Sequence, residues 1–238
     1  MLIYILSLQL TKINKNVNFL ILSDFVDIKI VEKTNSFVSI KKLFAISKLK
    51  EKYDYISCID SEIQFINDSN DFYNIMKNIA NTKIICGGKL LPNVSEKNIV
   101  KDSLTKLTDN KYHLLLKRLS QGFTLYTWWS NLPVYDCKIL DAFLKWINFN
   151  NNNLERFCWN IFDDMTYNYF CLLFHNYKFK LIKNCFHSLE FANSNIVEDV
   201  DKNICKLYWV NNLAYNQNKT YYENNNFQIV FHLDRWKI

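Results

Sequence analysis

The stretch that decides the fold is an apolar run interrupted by two acids: residues 53–67 read YDYISCIDSEIQFIN. An apolar run of this kind predicts a buried strand, and acids are uncommon in strands. Asp60 and Glu62 stand two positions apart, so on an extended chain both side chains point to the same face. Mg²⁺ and Mn²⁺ commonly bind one or two carboxylates together with substrate phosphates. The pattern predicts a divalent-cation site, and the alternative is a strand that ends at Asp60 with Glu62 solvated in a turn.

Residues 39–52 come before this strand and carry a helical pattern. They read SIKKLFAISKLKEK, and their apolar positions approximate one helix face: Ile40, Leu43, Phe44, Ile46 and Leu49. The order over residues 41–62 is helix, short polar link, strand and acidic pair. It resembles the segment that leads into the metal-binding DxD motif of glycosyltransferases with the GT-A fold. The resemblance covers about residues 20–92, and the chain departs from the motif by carrying Glu62 at the second acidic position.

The resemblance implies one α/β domain over residues 1–238, GT-A-like and Rossmann-like, with a mixed, mostly parallel sheet flanked by helices. About residues 1–92 would form the nucleotide-sugar-binding half, and about residues 93–238 the acceptor-binding half. The implied activity is metal-dependent transfer of a sugar, as in hexosyltransferases, from a nucleotide-diphosphate donor such as a UDP-sugar to a glycan or lipid-linked acceptor. Mn²⁺ or Mg²⁺ would bind Asp60 and Glu62, while Ser61 and Lys42 would contact the donor. Inversion or retention of the anomeric configuration stays open.

Two further positions are expected to meet the donor. Asp24 follows a predicted strand over residues 17–23, at the carboxyl end where open α/β sheets bind ligands. The alternative for Asp24 is a helix or turn cap. Gly87 and Gly88 follow a predicted strand over residues 83–86, and glycine lets a backbone approach a sugar or phosphate closely. The alternative for these glycines is a plain turn.

An aromatic segment is expected to line the acceptor site. Residues 122–136 contain Trp128, Trp129 and Tyr135 and are broken by Pro133. Flat aromatic rings are favoured platforms for sugar rings. The alternative is that the two tryptophans pack in the core.

A second acidic pair, Asp163 and Asp164, interrupts an aromatic-rich run that continues as a predicted helix. In GT-A enzymes an acidic pair opens a helix beneath the acceptor pocket about a hundred residues after the DxD-type motif. In inverting members one such carboxylate is the general base for the acceptor hydroxyl. The alternative is that Asp163 caps the helix and Asp164 interacts with the helix dipole. We expect Asp163 to be the cap and Asp164 to do the chemistry.

A histidine well downstream often completes the metal shell in GT-A enzymes. His187 and His232 are the two candidates in this chain. For each of them the alternative is a purely structural histidine after a strand.

Composition narrows the class of protein. The 238 residues are 49% hydrophobic, with 3 Gly and 2 Pro, which favours one globular α/β domain over a turn-rich sandwich or barrel. The seven cysteines are scattered without CxxC spacing, which indicates free thiols in a reducing, cytoplasmic compartment. Residues 1–10 lack a basic leader region, so we expect a first strand over residues 1–7 and not a signal peptide.

Charge bears on the partners of the protein. The formal net charge of +6 is modest and spread along the chain. It is compatible with an anionic nucleotide donor and a peripheral contact at the cytoplasmic face of a membrane, as it is with many ordinary proteins. Arginine occurs only at positions 118, 156 and 235, and direct base readout depends on arginine, so specific nucleic-acid binding is disfavoured.

Two other functions compete with sugar transfer. A nucleotidyltransferase of related fold also binds metal with an acidic pair, but it usually carries a Gly-rich, basic phosphate loop near the first strand. Residues 6–16 contain no Gly and no Arg, so this function ranks second. The third is a non-catalytic carbohydrate-binding or adaptor protein with an aromatic surface.

Overall fold

The computed structural model describes part of the chain in separate segments. They are residues 2–3, 18–19, 37–58, 77, 80–89, 103–104, 125–126, 134–150, 152, 157, 162–181, 207–210 and 228–231.

The first strand lies between two parallel neighbours. Strand β1 (Leu2–Ile3) pairs in parallel with β2 (Asn18–Phe19) and with β3 (Tyr55–Ser57). Strand β6 (Tyr135–Asp136) adds to β3 in the antiparallel direction, with Tyr135 opposite Ile56, so the strand order is β2-β1-β3-β6. A parallel β1–β2 pair requires a crossover, for which residues 4–17 are available.

A second sheet contains the glycine pair. Strand β4 (Ile84–Lys89) lies between β5 (Leu125–Tyr126), which is antiparallel to it, and β7 (Lys178–Leu181), which is parallel. Gly87 pairs with Leu181 and Gly88 with Tyr126, so both glycines are part of β4. The alternative that they form a plain turn is wrong. Strands β8 (Leu207–Val210) and β9 (Gln228–Phe231) form a separate parallel pair.

Three helices are described over their full length: α1 (Phe37–Leu49), α2 (Cys137–Trp146) and α3 (Asp163–Phe174). Helix α1 begins two residues before the start of the predicted segment 39–52 and ends three residues before the end of that segment. Residues 80–82 and 103–104 are helical as well.

Asparagine ends two of these helices. Asn148 follows α2 with a φ of 53°, and Asn176 follows α3 with a φ of 57°. Both values lie in the left-handed region, which asparagine tolerates better than other residues with a side chain. The asparagine content of the chain therefore has a structural use at these two helix ends.

The core lies where α1 packs against α2 and α3. All five α1 positions predicted to face the core are at most 9% exposed, which confirms the helical pattern. Aromatic rings of α2 pack against rings of α3. The ring centroids of Phe143 and Tyr167 are 5.1 Å apart, and those of Trp146 and Phe170 are 5.4 Å apart. Burial of such a side chain stabilises the fold by about 1.5–3 kcal/mol. This packing encloses the first turn of α3.

Three cysteines of the described segments, Cys58, Cys137 and Cys171, are free thiols. Among the described helices, none is both long and apolar enough to cross a membrane.

Candidate functional site

The structure describes six of the residues that the sequence assigned to a site: Lys42, Gly87, Gly88, Tyr135, Asp163 and Asp164. The others lie outside the described residues: Asp24, Asp60, Ser61, Glu62, Trp128, Trp129, His187 and His232. Their assigned roles remain predictions.

Two of the six form a hydrogen bond and the charge of a third acts on the same carboxyl, although the three come from different elements. Lys42 is on α1, Tyr135 is on β6 and Asp163 opens α3. The Tyr135 hydroxyl donates a hydrogen bond to Asp163 Oδ2. The Lys42 charge stabilises the ionised form of the same carboxyl, and Ser39 on α1 acts in the same direction. We call Ser39, Lys42, Tyr135 and Asp163 the carboxyl cluster.

The Asp163 carboxyl is enclosed by protein. It is 1% exposed, and its Oδ1 has no well-formed hydrogen bond within the part of the chain that the structure describes. Burial raises the pKa of Asp163, because a charged carboxylate loses its hydration there. Lys42 opposes that rise most strongly, followed by the Tyr135 hydroxyl. The net pKa shift is upward, so the neutral acid is favoured more than in an exposed aspartate.

Tyr135 is the hydrogen-bond donor of the cluster. Burial raises its pKa well above the usual value, and the neighbouring titratable groups of Asp163, Cys58 and Asp164 raise it further. Tyr135 therefore keeps its proton at neutral pH and donates a hydrogen bond to Asp163. Its side chain is 0% exposed and its ring lies 4.7 Å from the Tyr167 ring. This placement suits a partner of Asp163 better than the open acceptor wall that the sequence predicted.

Asp163 is not the cap of α3, so that expectation is wrong. The N-cap is Phe162, whose side chain makes no capping hydrogen bond, and Asp163 is the first helical residue. Ser103 makes a hydrogen bond at the start of this helix instead: its hydroxyl accepts the Phe162 N–H at 3.1 Å. Thr166 closes the turn by donating to the Phe162 carbonyl at 2.9 Å. These two hydrogen bonds fix the start of α3, and the Asp163 side chain points to Tyr135.

Asp164 stands next to Asp163 in the same turn but is only partly buried. Both acids lie at the N-terminus of α3, where the helix dipole favours negative charge. Asp164 is near enough to Tyr135 for its charge to act on the Tyr135 hydroxyl. Of the two carboxylates, Asp164 is the one with access to solvent.

The cluster lies toward the carboxyl end of β3. Tyr135 is opposite Ile56, and Cys58, just past the end of β3, is near enough to affect the titration of the Tyr135 hydroxyl. Asp60 follows Cys58 by two positions in the sequence. Open α/β sheets bind ligands at the carboxyl ends of their strands, so the cluster is at the end where a ligand is expected.

Sequence reasoning missed Ser39 and Ser103. Ser39 precedes Lys42 by three positions, and residues three apart share a helix face. That spacing could have identified Ser39 as a neighbour of Lys42. Ser103 is 59 positions from Phe162, and no local pattern links the two.

An open pocket of about 330 Å³ lies near the other end of β3, where α1 ends and α2 begins. The Lys50 ammonium at its edge binds Asp141 at 2.7 Å. Burial raises the pKa of Cys137 in its wall to about 12, so this thiol is unreactive at neutral pH. None of the residues assigned from sequence lines this pocket.

Comparison with protein-family models, with curated proteins and with solved structures gave no match to this chain. Within the described segments, no group of three or more His, Cys, Asp or Glu side chains is placed to hold a metal ion. The four predicted metal ligands lie outside those segments.

Proposed function

We propose that the protein is a metal-dependent glycosyltransferase with a GT-A-like domain. It moves a sugar from a nucleotide-diphosphate donor, with UDP as the favoured nucleotide, to a glycan or lipid-linked saccharide. The resemblance of residues 41–62 to the DxD-type segment supports the donor half of this proposal. The observation that carries it is the hydrogen bond between Tyr135 and Asp163, two residues that were assigned to a site from sequence. The charge of Lys42, a third such residue, acts on the same carboxyl.

The donor set proposed for the metal is Asp60 and Glu62, with His187 or His232 as a further ligand. Carboxylate oxygens with one imidazole suit a hard cation such as Mn²⁺ or Mg²⁺. Such a cation, when bound, neutralises negative charge on the leaving diphosphate. Asp24, Ser61, Gly87 and Gly88 are proposed to contact the donor.

Asp164 is the proposed general base in an inverting reaction. Its carboxylate takes the proton of the acceptor hydroxyl as that oxygen attacks the anomeric carbon and the bond to the diphosphate breaks. A base must reach the proton it removes. Asp164 is partly exposed, whereas Asp163 is 1% exposed, so only Asp164 is accessible. Trp128 and Trp129 are the proposed wall of the acceptor site.

The proposed setting rests on the cysteine pattern. Scattered cysteines without CxxC spacing favour a reducing compartment, so we place the reaction in the cytoplasm or at the cytoplasmic face of a membrane. The formal charge of +6 favours both an anionic donor and a peripheral contact with anionic lipid.

A thermal-shift screen of nucleotide sugars, with and without Mn²⁺, tests the proposal. A ligand that binds only the folded state raises the melting temperature. We expect a UDP-sugar to do so in Mn²⁺ and to lose the effect in EDTA. Stabilisation by nucleoside triphosphates but not by nucleotide sugars would favour a nucleotidyltransferase, and stabilisation by saccharides alone would favour a binding module.

Asp60→Ala provides the matched test of the metal site. It should abolish Mn²⁺-dependent stabilisation and transfer while the protein stays folded. Asp54→Ala is the control, because Asp54 lies in the same run, is exposed and borders the opposite end of β3. Full transfer by Asp60→Ala, or in excess EDTA, would refute the metal-dependent mechanism.

A further inference from the structure

The first turn of α3 is joined to two other elements through a single carboxyl. Asp163 accepts the Tyr135 hydroxyl from β6 and lies within the field of Lys42 on α1. Ser39, one helical turn before Lys42, acts on the same carboxyl. The charged and titratable groups that face this junction are Lys42 from α1, Tyr135 from β6, Cys58 after β3 and Asp164 from α3.

We infer that Lys42 and Tyr135 are positioning residues that hold the Asp163 carboxyl at the junction of α1, β6 and α3. In doing so they fix the turn that carries Asp164. The consequence for catalysis rests on the function proposed above, whereas the arrangement of the carboxyl does not. The roles differ from those assigned on sequence, where Lys42 contacts the donor and Tyr135 the acceptor.

Enclosing an acid in protein costs free energy unless partners satisfy it. Asp163 is 1% exposed and its Oδ1 has no well-formed hydrogen bond among the described residues, so burial alone would favour its release to solvent. The Tyr135 hydroxyl satisfies Oδ2, and Lys42 supplies the opposite charge. Because Asp163 and Asp164 are consecutive in one helical turn, holding the first sets the position of the second.

The arrangement predicts how the Asp163 carboxyl responds when a partner is removed. Both Lys42 and the Tyr135 hydroxyl lower the pKa of Asp163 against the larger effect of burial. Lys42→Met removes the charge and Tyr135→Phe removes the donor. Each variant should therefore raise the pKa of Asp163 above its value in the unaltered protein.

Carbon-13 NMR of the protein labelled at aspartate carboxyls measures this directly. The Asp163 signal is identified by its loss in Asp163→Asn, and its titration is followed in each variant. Lys48→Met and Tyr167→Phe are the controls: Lys48 is an exposed lysine of α1, and the Tyr167 hydroxyl accepts the Asp136 N–H. We expect an upward shift in Lys42→Met and Tyr135→Phe and none in the controls. If Tyr135→Phe does not fold, Lys42→Met carries the test.

An unchanged Asp163 titration in Lys42→Met would overturn the inference, whatever the protein does as an enzyme. Steady-state kinetics then test the catalytic consequence. A positioning role predicts a lower kcat with an unchanged donor KM in both variants. A raised donor KM in Lys42→Met would place Lys42 on the donor and overturn its assignment as a positioning residue. Upward shifts with no transfer from any donor would leave the carboxyl arrangement in place and refute the proposed function.

Discussion

Helices α2 and α3 each have an aspartate at their N-terminus, but the two aspartates make different hydrogen bonds. In α2 the acid is the N-cap: Asp136 has a φ of −79° and a ψ of 113°, and its Oδ1 accepts the Lys138 N–H at 3.0 Å. In α3 the N-cap is Phe162, and Asp163 is one position further into the helix. At the N-cap position the acid accepts from an N–H group of its own helix. One position further on, the acid accepts instead from the Tyr135 hydroxyl on β6.

Asp136 stabilises its own helix, whereas Asp163 needs a partner on another element. A capping carboxylate is satisfied locally and remains near solvent. Asp163 is enclosed, its pKa is raised by burial, and its partners come from α1 and β6. Acids with raised pKa values beside specific charge partners are typical of functional sites. The start of α3 is therefore the better candidate for chemistry.

The largest effect is expected for the acid beside the cluster. If the proposed function is right, Asp164→Asn should reduce sugar transfer about 10²- to 10⁴-fold, because the variant lacks the carboxylate proposed as the base for the acceptor hydroxyl. Its melting temperature and donor affinity should stay close to those of the unaltered protein. Near-normal turnover by this variant, measured with a donor found in the thermal-shift screen, would place the base elsewhere.

The next effect concerns stability at the start of α3. Asp163→Ala leaves the buried Tyr135 hydroxyl without its acceptor, which costs about 1–3 kcal/mol. Asp163→Asn keeps an acceptor and should cost less. Urea unfolding of both variants measures the difference, and equal losses would show that the hydrogen bond from Tyr135 contributes nothing.

A smaller loss is expected at the start of α2. Asp136→Ala removes a side-chain cap and should destabilise the protein by about 1 kcal/mol. Asp136→Asn retains a capping oxygen and serves as the control. If Asp136→Ala were more damaging than Asp163→Ala in the same urea experiment, the contrast between the two helix starts would be reversed.

The smallest effect concerns the ion pair between the end of α1 and α2. Lys50 binds Asp141 at 2.7 Å, but the Asp141 side chain is 80% exposed. Solvent screening limits such a pair to about 1 kcal/mol or less. Lys50→Met should lower the free energy of unfolding slightly, and the difference should shrink in high salt. A large, salt-independent loss would show that Lys50 packing matters more than its charge.

Local spacing was enough to predict helix α1. The apolar positions of α1 share one face because a helix repeats every 3.6 residues, and the residues at those positions are buried. Gly87 and Gly88 were harder, since glycine favours turns in general, yet pairing with Leu181 and Tyr126 keeps both in β4.

The site depended on information that spacing does not carry. Whether Asp163 caps α3 is decided by the backbone conformation at Phe162. An N-cap at position 162 and an N-cap at position 163 fit the same apolar pattern. The bond between Tyr135 and Asp163 joins residues 28 positions apart, so only the packing of β6 against α3 brings them together. Sequence identified three members of the carboxyl cluster but assigned them to three separate roles.

The pH dependence of unfolding tests most directly the claim that Asp163 is an enclosed acid and not a cap. Its pKa in the folded protein is raised above the ordinary 3.8, so the folded state binds more protons than the unfolded state in the range above 3.8. The stability that this carboxyl contributes is present below that value and is lost as pH rises through the raised pKa. Asp163→Asn lacks this titration.

Urea unfolding of the unaltered protein and of Asp163→Asn, from pH 3.5 upward, should therefore show a difference that moves in favour of the variant as pH rises. A capping carboxylate would give the opposite trend, because its pKa falls on folding and its stabilisation grows as it ionises. A difference that stays constant, or that moves in favour of the unaltered protein, would contradict the account.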